Sequence, residues 1–539
     1  MEGAHLKIEE ESEDFDQFLG DGNFGNPDAT TADLEKAAIQ MGLAFPSLSI
    51  AANRLSTHLI VGRKGAGKTF HWRTLEAAAK SRHEVIAITD NGALSEAAVK
   101  ALSARAGNLS PDHFWSLVWR RAIFSFLASL FYSTRQHMSF DNVDRLKSVI
   151  DKRTFIDRFD DIFSEPLVEL TPVKYVEKFS SMEKRHLFEN FIQSDLWVEL
   201  ETVMQASIPE NSPIYIFIDA IDAQADTIPQ MWHDCQYGLL VTILNLIREM
   251  KGRLHIVATI RDSVYRARVG TEHGTKVVDD NHIRILNWGR RENEYFAREK
   301  IIRSARLKIP SKASINDVMD AWLGFSSIFN KRRGIEENAA QYILRHTRCL
   351  PRDVVIVGNE ISRELLVCRR TNEKFSPGRL RKAVEACSKL FANESVETCL
   401  TEMLVTQHSV EEYARMLRQR PDDSDAIKYH LREEVERFVR LIGKQVFDSN
   451  ELQSAISSLN GKSNASTHKD TRYRIDNVFW RNGLIAYKDD RGGGESKWIY
   501  NWYAVSENEN LPSSAKRYGF HPSIADRYML ELTSDELVY

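Results

Sequence analysis

Chemistry is concentrated first in the run Gly62-Arg63-Lys64-Gly65-Ala66-Gly67-Lys68-Thr69, which meets every fixed position of the pattern G-x-x-x-x-G-K-[ST]. Glycines at these spacings let successive backbone N–H groups turn inward around an anion. A helix that begins near Lys68 adds the positive end of its dipole. Lys68 supplies a point charge suited to β- and γ-phosphates, and the Thr69 hydroxyl is a ligand type for Mg2+. Phe70 closes the expected contact run.

A second group lies far along the chain. Ile214-Tyr215-Ile216-Phe217-Ile218-Asp219-Ala220-Ile221-Asp222 is an apolar run that ends in a carboxylate. A buried strand of this kind presents Asp219 at its C-terminal end, where it can bind Mg2+ through water. Asp222 can orient or deprotonate an attacking water; it can equally cap the helix expected after it. Arg261 or Thr259, at the end of another apolar run, is placed to sense a terminal phosphate, unless Arg261 pairs with its neighbour Asp262. Arg352, in Leu350-Pro351-Arg352-Asp353, opens an expected helix and can reach back to the same phosphate. A cation at a helix N-terminus needs an anionic partner, and Asp353 is the nearest in sequence.

These groups require elements that hold them together. Residues 59–61, 85–89, 214–218, 254–260 and 282–286 read as short apolar strands. Helical patterns fall between them, at 69–80, over much of 93–207 and at 230–250. Strands alternating with helices predict a parallel sheet covered on both faces, hence an α/β fold of the P-loop NTPase type. After Trp288 only helices are expected, at 290–307, 317–325, 334–346, 352–369, 377–392, 396–405 and 409–418. The end of the chain adds helices at 424–441, 449–459 and 467–482, then strands at 484–488 and 497–505 around Arg491-Gly492-Gly493-Gly494. Helices followed by a glycine-tipped hairpin form a winged-helix pattern. The expected domains are an acidic tail and arm (1–50), a core with a helical insertion (51–288), a helical lid (289–395), and a helical region with the winged helix (396–539).

Composition bounds the class. With 539 residues, 42% hydrophobic and 27% charged, the chain is ordinary for a globular protein, which excludes collagen-like, disulfide-rich and mostly disordered classes. A net charge of −4 argues against a polycation that coats nucleic acid. Eight of the acids, against one lysine, fall within residues 1–21, which reads as a solvated tail. Five scattered cysteines with no C-x-x-C suggest reduced, buried thiols in a cytoplasmic protein. The longest uncharged apolar runs are 11 residues (122–132 and 237–247), short of the roughly 18 that a membrane span needs. The start of the chain lacks the basic and apolar regions of a secretory leader. His233, Asp234 and Cys235 lack a second pair of ligands and read as structural rather than metal-binding.

Together, Gly62–Thr69, Asp219-x-x-Asp222, the strand ending at Arg261 and Pro351-Arg352-Asp353 resemble the STAND/AAA-related bacterial P-loop ATPases, whose Walker A has the form G-R-K-G-x-G-K-[ST]. Phe24-Gly25-Asn26-Pro27-Asp28-Ala29 resembles the arm such proteins carry ahead of the core, and His282–Trp288 and Phe520-His521-Pro522 fit the same pattern. The resemblance implies an ATP- and Mg2+-dependent switch that assembles into homo-oligomers. Members occur among anti-phage and mobile-element genes, where a separate effector protein acts. One position departs from the pattern: Ala223 stands where the usual form has an acid, which bears on hydrolysis more than on binding. A scaffold that binds ATP with negligible turnover is the corresponding alternative.

DNA is the other partner the sequence raises. On a helix over 467–482, Asp470, Arg474, Asn477 and Arg481 share a stripe, whose two Arg and one Asn suit a major groove, with Arg491 on the wing. This reading is a DNA-binding regulator under nucleotide control. Tyr473 and Trp480 on a neighbouring face favour a protein contact instead.

Overall fold

A computed structural model describes residues 24, 57–80, 86–90, 111–134, 140–150, 195–208, 213–218, 229–269, 282–305, 307–310, 312–330, 334–407, 426–460, 474–489, 497–501 and 510–532. The chain begins its described structure with β1 (Leu59–Gly62), α1 (Lys68–Lys80) and β2 (Ile86–Asp90). The helices α2 (Pro111–Thr134), α3 (Phe140–Ile150) and α4 (Asp195–Ser207) follow. β3 (Ile214–Ile218), α5 (Pro229–Met250), β4 (Leu254–Arg261), α6 (Asp262–Val269) and β5 (Ile283–Ile285) complete an α/β unit.

The strands form one parallel sheet in the order β2-β3-β4-β1-β5. Successive side chains leave opposite faces of a strand, and here they feed two cores. Val61, Ile216, Ile218 and Ile260 pack with Trp115 and Trp119 of α2 and Leu240 and Ile243 of α5. Ile60, Tyr215, Phe217 and Val257 pack on the other face with Phe70, Trp72 and Leu75 of α1. Burial on both faces is why β3 reads as an unbroken apolar run.

Next come α7 (Arg290–Ser304), α8 (Ile315–Leu323), β6 (Ser327–Asn330), β7 (Ile335–Asn338), α9 (Ala339–His346), α10 (Pro351–Arg370) and α11 (Pro377–Gln407). Two features differ from the sequence expectation. Strands do not stop at Trp288, because β6 and β7 pair as an antiparallel hairpin. The helix expected from residue 334 therefore starts only at Ala339, where the Asn338 side chain caps it by accepting from the Ala340 and Gln341 N–H groups. The helices expected at 377–392 and 396–405 are one, α11, since no Gly or Pro interrupts Asn393-Glu394-Ser395. The first half of α11, with Leu380 and Phe391, belongs to the core beneath the sheet. Its second half, with Val396, Leu400 and Met403, belongs to a separate C-terminal core. The helix expected at 409–418 lies outside the described residues.

The C-terminal region holds α12 (Ala426–Ile442), β8 (Val446–Asp448), α13 (Ser449–Asn460), α14 (Ile475–Arg481), β9 (Ile485–Asp489), β10 (Lys497–Tyr500), β11 (Arg517–Phe520) and α15 (Pro522–Tyr528). Its strands form an antiparallel sheet in the order β10-β9-β11-β8. Of residues 1–56, Phe24 alone is described. Its buried ring lies 5.4 Å from that of Trp322, its N–H donates to Asn359 Oδ1, and its carbonyl accepts from Lys300 Nζ. Gly358 is what admits it, for a Cβ there would sit 2.2 Å from the Phe24 ring. All five cysteines are buried and none is in a disulfide. No helix among the described residues is long and apolar enough to cross a membrane.

Candidate functional site

The turn between β1 and α1 is built by glycines that only glycine suits. Gly65 and Gly67 sit at φ +86° and +90°, in the left-handed region that disfavours a side chain. A Cβ on Gly65 would also lie 3.3 Å from the Arg352 Cβ, so the start of α10 presses directly on the turn. The Arg352 N–H donates to Gly65 O at 3.4 Å. Within the turn, the Ala66 N–H donates to Arg63 O at 3.1 Å. The Trp288 indole N–H donates to Ala66 O at 3.0 Å and anchors it from the β5 side. Lys68 Nζ donates to Gly62 O (3.0 Å) and Arg63 O (3.2 Å), so its ammonium spans the two peptides that enter the turn. α1 carries no acid in its first turn, which leaves the positive end of a 13-residue helix facing the glycines.

The remaining expected residues divide into those brought to the turn and those that are not. Thr69 is half-buried in the first turn of α1, and Lys64 is exposed. Phe70 belongs to the apolar core, not to a ligand surface. Arg261 is brought close, because it pairs in register with Gly62. Its N–H donates to Gln236 Oε1 of α5 at 3.0 Å, which fixes the end of β4. The alternative pairing of Arg261 with Asp262 is corrected by geometry: the Asp262 carboxylate takes Arg266 at 2.9 Å and Arg63 at 3.8 Å. Asp219 and Asp222 lie outside the described residues, although β3 delivers the chain as far as Ile218.

Arg352 does not pair with Asp353 either. The Asp353 carboxylate is fully buried and binds Arg348 through the Arg348 backbone N–H (2.9 Å), Nε (2.8 Å) and Nη2 (2.7 Å). Glu394 of α11 takes Arg348 Nη2 at 2.8 Å and approaches Arg352 Nη2 at 3.9 Å. Burial works against the charge of Arg348, yet Asp353 and Glu394 hold its pKa above the usual guanidinium range. This buried pair locks the entry to α10, and Cys349 inside it adopts a left-handed φ of 53°.

Arg63 faces away from the phosphate cradle expected of it. Its Nη2 donates to the carbonyl of Arg481 at 2.8 Å and to that of Asn501, both in the C-terminal region. Burial lowers its pKa to about 10 against the opposing pull of Asp262. Arg266 Nη1 reaches the same Arg481 carbonyl at 3.5 Å.

The groove-reading stripe is corrected by burial. All residues of α14 are buried. Asn477 Oδ1 accepts from the Leu511 N–H at 2.8 Å, and Arg481 Nε donates to Glu402 Oε1 of α11. Arg474 precedes the helix and is paired with Asp476 at 2.7 Å. Trp480 is buried against Tyr487, their rings 5.6 Å apart. A short helix wedged between α11 and its own sheet cannot enter a groove with these side chains. Arg491 and Tyr473 lie outside the described residues. Among the described residues no group of three or more His, Cys, Asp or Glu is placed to hold a metal ion.

Sequence reasoning missed the residues that hold the turn from outside it. Arg266 was readable as a helical i, i+4 partner of Asp262. The roles of Gln236, Glu402 and the Arg481 carbonyl depend on packing between distant segments. No protein-family model matches the chain, and no curated protein does.

Proposed function

We propose that the chain is a P-loop ATPase of the STAND/AAA-related kind, a switch that binds and hydrolyses Mg-ATP and couples nucleotide state to a C-terminal winged-helix module. The observation that carries this reading is the glycine turn itself. Gly65 and Gly67 open it, a helix N-terminus free of acids faces it, and Lys68 lies across it. A turn held open by two glycines with positive φ suits an anion bound by backbone N–H groups. Lys68 would contact the β- and γ-phosphates, and Arg352 and Arg261, both beside the turn, would contact the γ-phosphate. Thr69 and Asp219 are the residues to hold Mg2+. The cation, when bound, neutralises charge on the phosphate oxygens. β3 stops one residue before Asp219 and lies two strand spacings from β1, roughly 9–10 Å, a span that a water-bridged ion and a phosphate can fill. Asp222 would orient the attacking water.

Homo-oligomerisation, a separate effector and an anti-phage role rest on the resemblance alone and are part of the proposal on that basis. DNA is not adopted as the partner, because Asn477 and Arg481 are buried and bonded. A second reading, an ATP-binding scaffold with negligible turnover, is favoured by Ala223 in place of an acid.

Titration with a fluorescent ATP analogue in Mg2+ tests the site. Lys68→Ala removes a charged hydrogen-bond donor, and affinity is expected to fall on the order of 10- to 100-fold. An unchanged dissociation constant would remove Lys68 from the site, and no binding by the wild type would remove the site. Phosphate release by the wild-type protein separates the switch from the scaffold.

A further inference from the structure

Arg352 carries a charge that the fold leaves poorly matched. It lies in the first turn of α10, where the helix dipole opposes a cation. The adjacent acid, Asp353, is taken up by three bonds to Arg348. Among the described residues, the buried Arg352 Nε has no acceptor. The carboxylate in ion-pair range is Glu394 of α11, whose Oε1 lies 3.9 Å from Arg352 Nη2. At that distance the two attract by charge but share no hydrogen bond.

Each partner is held in place without the other. Glu394 Oε2 accepts from Arg348 Nη2 at 2.8 Å, and Arg348 is itself fixed by Asp353 and by Ser395 Oγ at 3.3 Å. Arg352 is fixed by the glycine turn: its backbone N–H donates to Gly65 O at 3.4 Å, and its Cβ and Cδ lie 3.3 and 3.5 Å from where a Gly65 Cβ would be. The Arg352 side chain is 35% exposed, so an anion beside the turn can reach its guanidinium. A phosphate oxygen there gains a charge-assisted bond, and the fixed charge of Glu394 repels the same oxygen. The repulsion falls most heavily on the phosphate that meets Arg352, which in a nucleotide is the terminal one of a triphosphate.

We propose that Glu394 sets specificity through Arg352: it is the resting counter-charge of that arginine, and it limits how strongly the turn prefers a nucleoside triphosphate to a diphosphate. The inference rests on the nucleotide reading above and adds to it a residue and a sign. Glu394 makes no hydrogen bond that orients Arg352, so it acts by charge alone, and removing the charge tightens triphosphate binding.

The test uses the full chain, titrated separately with fluorescent analogues of ATP and ADP in Mg2+. Glu394→Gln removes the charge and keeps an amide oxygen for Arg348. Its affinity for the ATP analogue should rise about 3-fold or more, the scale of a partly exposed charge pair. The ratio of triphosphate to diphosphate affinity should rise with it. Glu394→Asp keeps the charge and should hold that ratio within about 2-fold of the wild type. Equal changes for both analogues mark a merely structural role and overturn the proposal. Weaker triphosphate binding by the glutamine variant overturns the sign, since Glu394 would then be orienting Arg352. A ratio raised as much by aspartate as by glutamine shows that charge is not the cause. If the wild type binds neither analogue, the nucleotide reading itself fails and the inference with it. If the wild type binds and the glutamine variant keeps its ratio, the inference alone fails.

Discussion

Asp353→Asn removes the charge that locks the entry to α10, and its effect can be worked from the geometry. Arg348 is buried and receives Asp353 through bonds of 2.7–2.9 Å, with Glu394 at 2.8 Å and Ser395 Oγ at 3.3 Å as its other partners. Removing one member of a buried ion pair costs about 3–5 kcal/mol, because the other charge is left behind. Glu394 still faces Arg348, so the lower figure, about 3 kcal/mol, applies. For a cooperative unit of 150–250 residues this corresponds to a fall in Tm of roughly 6–12 °C. Thermal unfolding followed by near-UV circular dichroism reads it directly. A shift below about 2 °C for Asp353→Asn refutes the claim that this pair locks the entry to α10.

Acid should destabilise the fold through histidines buried in their neutral form. Burial lowers His58 to about 3, with His255 and His282 adding to it, and lowers His521 to about 3 and His71 to about 4. In the unfolded chain each titrates near 6.5, so between pH 6.5 and about 4 the unfolded state binds the extra protons. Stability therefore falls as pH falls through that window, by up to roughly 1.4 kcal/mol per pH unit per histidine. Urea unfolding at pH 7, 5.5 and 4.5 measures it, and a flat profile would count against these assignments. Trp288→Phe strands the buried Ala66 carbonyl at about 1–3 kcal/mol. ATP-analogue affinity should then drop about 5- to 10-fold, and wild-type affinity would show that the indole does not shape the turn.

The parallel sheet was legible because its strands are buried on both faces and stand out as apolar runs between helical patterns. Ile214–Ile218 is recovered residue for residue, and β1 and β4 extend the expected strands by one residue each. The misses have local causes. β6 alternates exposed and buried residues over only four positions and β7 buries one residue of four, too little to compete with the helical pattern of the segment that follows. β8 is three residues long, and β11 contains Gly519, which weakens any strand signal. Nothing in the residues between Ala392 and Val396 marks a break, and reading one there split α11.

The site was legible where chemistry depends on spacing and illegible where it depends on which distant group arrives first. Gly65, Gly67 and Lys68 occupy conformations that the motif itself demands. Charge pairing is different: a carboxylate can serve only so many cations, and sequence neighbours compete with residues from other elements. Asp353 goes to Arg348, not to adjacent Arg352, because a fully buried carboxylate is satisfied best by a guanidinium that reaches it with several bonds. Asp262 likewise goes to Arg266 and Arg63. Arg481, exposed on a helical-wheel projection, is buried because α11 supplies Glu402 against it. In each case the sequence names the charges, and only the three-dimensional arrangement assigns partners. That distinction matters for the turn: the two arginines beside it with the clearest motif positions, Arg63 and Arg352, have different tasks. Arg352 packs on Gly65 with a long contact to Glu394, which leaves it disposed to meet an anion. Arg63 is committed to backbone carbonyls of the C-terminal region, where Arg266 joins it on the Arg481 carbonyl.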